Sequence, residues 1–284
     1  MDIAISTLAF IGKTAEHIIA LAEENNLAIE FSSGMPYRAD METIFLNASI
    51  KRYAHNYFPA PQTPFVLNLA SSNETIRNTS IQHCIKGMEL SAKAGVPFFS
   101  AHAGFCVDPK PAELGQELSR IANIDRELHW NLFIDAVKII LKETEHLKIG
   151  FLIENNVLAK MNVYEDGTNP LLCVEPDEIH ELIIDINNKR LGILLDTVHL
   201  KVSATTLGFD KDEAVESLQP LIKCIHHSDN EGEFDNNEEI KSDYWFIKHL
   251  PQFQHILHVL EVKKIGIDEV LKQFKLIQPP QTSH

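Results

Sequence analysis

Short apolar runs that stop abruptly on a polar residue recur along the chain, separated by longer stretches of helical spacing. The sharpest is Leu-Gly-Ile-Leu-Leu-Asp-Thr-Val-His at 191–199, where a nearly all-apolar run ends in Asp196 and His199 follows three residues later. An apolar run of that length reads as a strand buried on both faces. Asp196 then falls where the strand leaves the core, and His199 on the turn that follows. Phe-Leu-Ile-Glu ends in Glu154, Ile-Leu-His-Val-Leu-Glu in Glu261, Ile-Lys-Cys-Ile-His in His226, and Val-Pro-Phe-Phe-Ser-Ala-His in His102. Strand ends that all carry metal-ligand residue types point to one shared site at the carboxyl ends of a parallel sheet.

In chain order, strands are expected at 3–10, 27–31, 52–58, from 96, and at 149–154, 191–196, 221–226 and 255–262. Helical spacing follows the first strand (Ile18, Ile19, Leu21). It recurs at 41–47, at 75–94 with Gly95 as the stop, and at 113–142, where Ile121, Ile124, Leu128, Leu132 and Ile139 form the stripe. Further helices are expected at 176–186 with Pro176 in the first turn, and at 210–218, 244–249 and 267–274. Eight alternations of strand and helix without a glycine-rich phosphate turn favour an α/β fold of the closed (β/α)8 TIM barrel type. The expectation is a single domain over 1–278 and a frayed tail at 279–284. The longer loops, including the polar segment 155–175 and the acidic loop 229–239, follow strands four to seven, the side on which barrel enzymes carry their sites.

A length of 284 residues suits one such barrel, and a net charge of −15 with no basic cluster makes nucleic acid an unlikely partner. Cys84, Cys106, Cys173 and Cys224 are scattered without a Cys-x-x-Cys pair, which fits reduced thiols rather than a disulfide framework or a thiolate zinc site. The start, Met-Asp-Ile-Ala-Ile-Ser, lacks a signal peptide's basic region, and no apolar run is long enough to cross a bilayer. A cytoplasmic protein is expected, in which the Asn-x-Ser/Thr triplets at Asn47, Asn73 and Asn78 are accidental; a homo-oligomer is left open. Gly-x-Ser-x-Gly, Gly-x-x-x-x-Gly-Lys and Gly-x-Gly-x-x-Gly are all absent. Nothing around Cys106 suggests an activated thiolate.

Glu154, Asp196, His226 and Glu261 end strands five to eight in succession, so in a closed barrel they are neighbours around the rim and can converge on one divalent ion. Mixed oxygen and nitrogen ligands suit zinc, manganese, iron or cobalt, and magnesium where oxygen dominates. His55 and His102, ending strands three and four, extend the site to a second ion sharing Glu154. Each residue alone also fits a helix cap or a surface ion pair. At His226-His227 parity allows only one imidazole into the barrel mouth and does not choose between them. His258 has the parity of the outer helices, and His129, His146, His180 and His249 lie on helical segments. Arg38, Arg77 and Lys201 are candidate phosphate contacts, against a reading as solvated surface charges.

These residues resemble the xylose-isomerase-like barrel superfamily of sugar isomerases, epimerases and the endonuclease IV group, over nearly the whole chain. The resemblance rests on Tyr53-Ala-His55, Asn68-Leu-Ala-Ser71 with Ile76-Arg-Asn-Thr-Ser80, and Ser100-Ala-His-Ala-Gly104. It continues through Ile153-Glu-Asn-Asn156, Leu195-Asp-Thr-Val-His199, His226-His-Ser-Asp-Asn230 and Val259-Leu-Glu261. It implies shared metal ligands at Glu154, Asp196, His226 and Glu261, with the extra ligands of the nuclease-like members at His55, His102 and His199. Nuclease members carry an Asp-x-His pair after strand seven; here the loop reads Phe234-Asp-Asn-Asn237, with asparagine in the histidine position. The implied activity is therefore a metal-dependent sugar or sugar-phosphate isomerase or epimerase. Glu154 and Glu261 would exchange a proton with carbon, and His199 would contact substrate or orient a ligand. The alternatives are an endonuclease IV-like di-metal phosphoesterase and a barrel that binds a metabolite without turning it over.

Overall fold

Eight parallel strands build one sheet: β1 (Asp2–Ser6), β2 (Ala28–Phe31), β3 (Arg52–Ala54), β4 (Phe98–His102), β5 (Gly150–Glu154), β6 (Leu191–Asp196), β7 (Ile222–His227) and β8 (Leu257–Leu260). They are paired in the order β3-β2-β1-β8-β7-β6-β5-β4. The two ends meet where His55 bridges Ser100 and the Asn56 amide donates to the Ser100 carbonyl at 2.6 Å, so the sheet closes into a (β/α)8 TIM barrel along a narrow seam. Helices α1 (Ala15–Asn25), α2 (Met41–Asn47), α3 (Glu74–Lys93), α4 (Arg126–Glu143), α5 (Pro176–Ile186), α6 (Thr197–Leu207), α7 (Lys211–Leu218) and α8 (Ile267–Ile277) lie outside the strands. The computed structural model describes residues 1–278, so the tail expected at 279–284 lies outside the described residues. Among those residues no helix is long and apolar enough to cross a membrane.

Parity sorts the strand residues into two cores. Ile5, Ile29, Ala54, Phe99, Ile153, Leu195, Ile225 and Leu260 face outward and pack under the helices in the large core. The alternate residues point inward, and Ala4, Tyr53, Phe98, Leu152, Leu194, Cys224 and Val259 form a separate apolar cluster filling the barrel. Two residues further along the same strands, the inward set becomes Ser6, Glu30, His55, Ser100, Glu154, Asp196 and His226, all buried. The barrel is thus an apolar plug capped by a titratable layer.

Four element boundaries differ from the sequence reading. The first strand stops at Ser6, whose hydroxyl accepts from the Leu8 amide (3.3 Å) and starts a 3-10 turn at Thr7–Phe10. Strand three ends at Ala54, and the segment expected as a helix at 244–249 is a 3-10 stretch, Trp245–Phe253. The helix expected over 113–142 begins only at Arg126, capped by Asp125, whose Oδ1 accepts from the Leu128 amide at 3.0 Å. A helix cannot run through Gly115, which sits at φ +75°. The apolar residues before α4 serve a different purpose: Leu118 is buried with Leu158, Leu171 and Val174 in a small core under the loops. Helix α6, not foreseen, starts directly after β6, so His199 occupies its first turn rather than an open loop.

Below the helices, His227 and His258 stack with ring centroids 5.1 Å apart outside the barrel wall. His258 Nε2–H donates to the Phe253 carbonyl (2.9 Å), which leaves Nδ1 to accept from His227 Nε2–H at 2.8 Å. This arrangement needs a neutral ring, and burial pushes the His258 pKa down to about 4. The unfolded chain takes up a proton below pH 6.5 and the folded chain only near 4, so stability is lost as pH falls through that window. The expected loss at this site is about 2 kcal/mol between pH 8 and pH 5. Urea unfolding at both pH values checks it: the His258→Gln variant should show a drop smaller by that amount, and an unchanged drop would refute the assignment.

Candidate metal centre

Each candidate ligand is delivered by a strand end. His102 pairs in register with Glu154, and Asp196 with His226, placing four of the groups side by side on the rim. Glu261 follows β8 directly, and its amide donates to the His227 carbonyl at 2.9 Å, holding it at the same level. One potential ligand atom from each of Glu154, Asp196, His226 and Glu261 lies within 4.8 Å of all the others. His226, the inward-facing member of the histidine pair, has Nδ1 2.8 Å from Glu261 Oε2, 3.6 Å from Glu154 Oε1 and 4.0 Å from Asp196 Oδ2.

A second cluster shares Glu154. His55 Nε2 lies 3.1 Å and His102 Nδ1 3.5 Å from Glu154 Oε2, and the three form a further compact group. Ser100 Oγ contacts His55 Nδ1 at 2.9 Å and fixes its ring. His199 donates from Nδ1 to the Asn155 carbonyl (2.8 Å), which turns Nε2 toward Asp235 Oδ2 at 3.5 Å. All seven residues expected at the site therefore meet at one barrel mouth.

Two members were not foreseen. Glu30, in the middle of β2, is fully buried and its Oε2 lies 3.1 Å from His226 Nε2, the ring atom facing away from the carboxylates. It thereby orients His226, in the manner of carboxylates behind metal-bound imidazoles. An acid inside Leu-Ala-Ile-Glu-Phe was the available signal: a buried strand does not carry an unpaired charge. Asp235 comes from the loop after β7. The asparagine two residues on, Asn237, has a left-handed backbone (φ 48°), and its carbonyl accepts from the Lys263 amide at 2.9 Å.

The donor set fits a cation. Glu154 Oε1 and Oε2, Asp196 Oδ2, Glu30 Oε1 and Asp235 Oδ1 are buried without a hydrogen-bond partner. The His55–Glu154 separation is that of an ion pair whose geometry is not that of a hydrogen bond. Buried carboxylate oxygens left in this state are costly unless a charge compensates them. Burial raises the Asp196 pKa to about 7, helped by the charges of Glu154 and Glu261 against the opposing effect of His199. Burial acts in the same direction on Glu154, but His102 and His55 outweigh it and hold Glu154 well below its ordinary value. Asp196 divides its oxygens: Oδ1 caps α6 by accepting from the His199 amide at 2.8 Å, while Oδ2 faces the cluster.

The three surface cations are engaged elsewhere. Arg38 pairs with Glu16 and Asp40, Arg77 donates to the Ser71 carbonyl, and Lys201 binds Asp229 and the Asn230 carbonyl. All four cysteines are buried and free, and burial pushes the Cys106 thiol up to about 12, which removes it as a nucleophile.

Comparison with known proteins agrees with this architecture: a family model described as xylose isomerase-like TIM barrel matches residues 11–271. The chain belongs to that family. Among solved structures, this xylose isomerase-like barrel is similar to a D-tagatose 3-epimerase-like protein, at 18% identity and a TM-score of 0.74 over 98% of this chain and 96% of the other. It is also similar to the IOLI protein solved with a binding zinc atom, at 14% identity and a TM-score of 0.66 over 97% and 96% of the two chains. At these identities the likeness is one of fold. Among relatives by sequence is a probable endonuclease 4 of Sulfurihydrogenibium sp. (strain YO3AOP1), 26% identical over 182 residues, which is 62% of this chain and 57% of that protein. The chain thus spans little more than half the length of that relative.

Proposed function

We propose that this barrel is a metal-dependent isomerase or epimerase of a sugar or related hydroxy-ketone, working by proton transfer at the carbon beside a carbonyl. The observation that carries the reading is the convergence of Glu154, Asp196, His226 and Glu261, three carboxylates around one imidazole. These four would hold one divalent ion, of the manganese, zinc, cobalt or magnesium type. When bound, such an ion polarises a carbonyl and lowers the barrier to removing the adjacent proton.

The remaining chemistry belongs to the chain. Glu154 is held in its charged form and is ready to accept a proton. Glu261, with its side chain 12% exposed at the mouth, stands across the cluster to return one. Asp196 and His226 would hold the ion, and Glu30 fixes the His226 ring. His199, with Nε2 toward Asp235 on the cavity wall, would contact the substrate or orient a ligand. The acidic balance of the chain, the engaged cations and the asparagine at 237 in place of histidine weigh against a nucleic acid substrate.

A second reading, hydrolysis of a phosphoester with two ions, is favoured by the His55–His102–Glu154 cluster. Elemental analysis of purified protein together with two assays separates them. About one ion per chain, with metal-dependent entry of solvent deuterium beside the carbonyl of ketohexoses, supports the isomerase reading. Two or three zinc ions with cleavage of an abasic oligonucleotide would replace it. Neither activity in a metal-loaded protein that still binds a hydroxy-ketone would make it a metabolite-binding barrel.

A further inference from the structure

A cavity of about 370 Å³ opens directly from the metal centre, with His102, His199 and Asp235 on its inner end. Its walls come from the loops after β3, β4 and β5 and include Tyr57, Phe65, Phe105, Leu114, Val157 and Met161. Lining asparagines are largely consumed by the fold. Asn156 Nδ2 donates to the carbonyls of Ala103, Gly104 and Leu172, and Asn162 binds the Leu118 amide and the Gln116 carbonyl. Asn56 Oδ1, buried without a partner, remains as an acceptor, and Ser33, Tyr57 and Gln116 are the other uncharged polar residues on the wall. Among the described residues no lysine or arginine lines the cavity, and its charged inner wall includes the carboxylate of Asp235. Leu114, 49% exposed, extends the apolar wall to the rim.

A phosphate is recognised by arginine, lysine or free backbone amides. None of those side chains lines the cavity, and the nearby start of α6 is already capped by Asp196. A volume in the range of ligand pockets with apolar walls and few free polar atoms takes an uncharged apolar group. We infer that the substrate is not a sugar phosphate but an α-hydroxy-ketone bearing an aryl or similarly sized apolar substituent. The polar end lies at Glu154 and Glu261, and the substituent lies against Phe65, Phe105 and Leu114. This rests on the metal-dependent reading above, which places the reacting carbon at the inner end.

Calorimetric titration of manganese-loaded and metal-free protein with three matched probes tests it: 2-hydroxyacetophenone, dihydroxyacetone and dihydroxyacetone phosphate. The aryl ketone should bind the loaded protein at least tenfold more tightly than dihydroxyacetone, and the phosphate no more tightly than dihydroxyacetone. Leu114→Glu, a change at an exposed position, should lower the aryl ketone's affinity at least tenfold and so remove its advantage over dihydroxyacetone. Equal affinity for aryl and plain ketone, or tighter binding of the phosphate, overturns the inference and leaves the metal reading standing. Aryl binding that is tenfold tighter but indifferent to metal keeps the apolar subsite and sinks the metal reading. No binding of any probe overturns both.

Discussion

Glu154→Gln is expected to lower metal-dependent solvent exchange at the substrate carbon by about 10²–10⁴-fold, the range attributable to a positioned general base. The substitution keeps the shape of the side chain, so packing at the end of β5 is preserved. It removes the one carboxylate that both clusters share and that His55 and His102 hold in its charged form. Measuring bound metal on the same sample separates two causes. A variant that retains its ion and loses exchange has lost the base; one that loses both has lost the shared ligand. Exchange within threefold of wild type, with metal present, would remove Glu154 from the mechanism.

Adding the correct divalent ion to metal-free protein should raise the melting temperature, because only the folded state brings the ligands together. At a metal concentration about 1,000 times Kd the gain is roughly 4 kcal/mol. For 284 residues that is a rise of about 7 °C. Asp196→Asn isolates the cause. Asparagine caps a helix as well as aspartate does, so α6 should start as before, but an amide replaces Oδ2 as the donor toward the ion. The variant should melt near the wild-type metal-free temperature and show no rise with metal. Glu30→Gln should keep the rise but require about 10–100-fold more metal, the usual effect of loosening the group behind an imidazole ligand. An undiminished rise in Asp196→Asn would show that the ion binds elsewhere.

Much of this was legible in the residues. Strand ends carry period-two information cleanly: an apolar run that terminates on an acid or histidine fixes both the end of the strand and the group it delivers. Glu154 and Asp196 could therefore be placed at the mouth without coordinates, whereas the choice of His226 over His227 came from the family resemblance. Helices in loops were less legible. Ile121 and Ile124 have helical spacing but lie outside α4, and only Gly115 warned that the chain leaves the helical region there. Helix α6 was hidden because polar and apolar residues alternate along Thr197–Leu207, so no amphipathic stripe marks it. Glu30 was missed for a different reason. It sits inside its strand rather than at its end, and only the stagger of neighbouring strands lifts it to the level of the other ligands. Asp235 stands in the aspartate position of the loop motif after strand seven, but the asparagine in place of its histidine partner left it out of the expected site.

The layering of the barrel interior separates what keeps the molecule folded from what sets its chemistry. Ala4, Tyr53, Phe98, Leu152, Leu194, Cys224 and Val259 hold the strands together without reaching the ligand layer, and the cavity walls belong to loops that pass over that layer. A descendant chain, or a designer, could therefore exchange the loop residues that choose the substrate while inheriting the ligands intact. It could equally silence the ligands while inheriting the scaffold. New specificities and inactive copies would then arise from the same parent by small, separable steps.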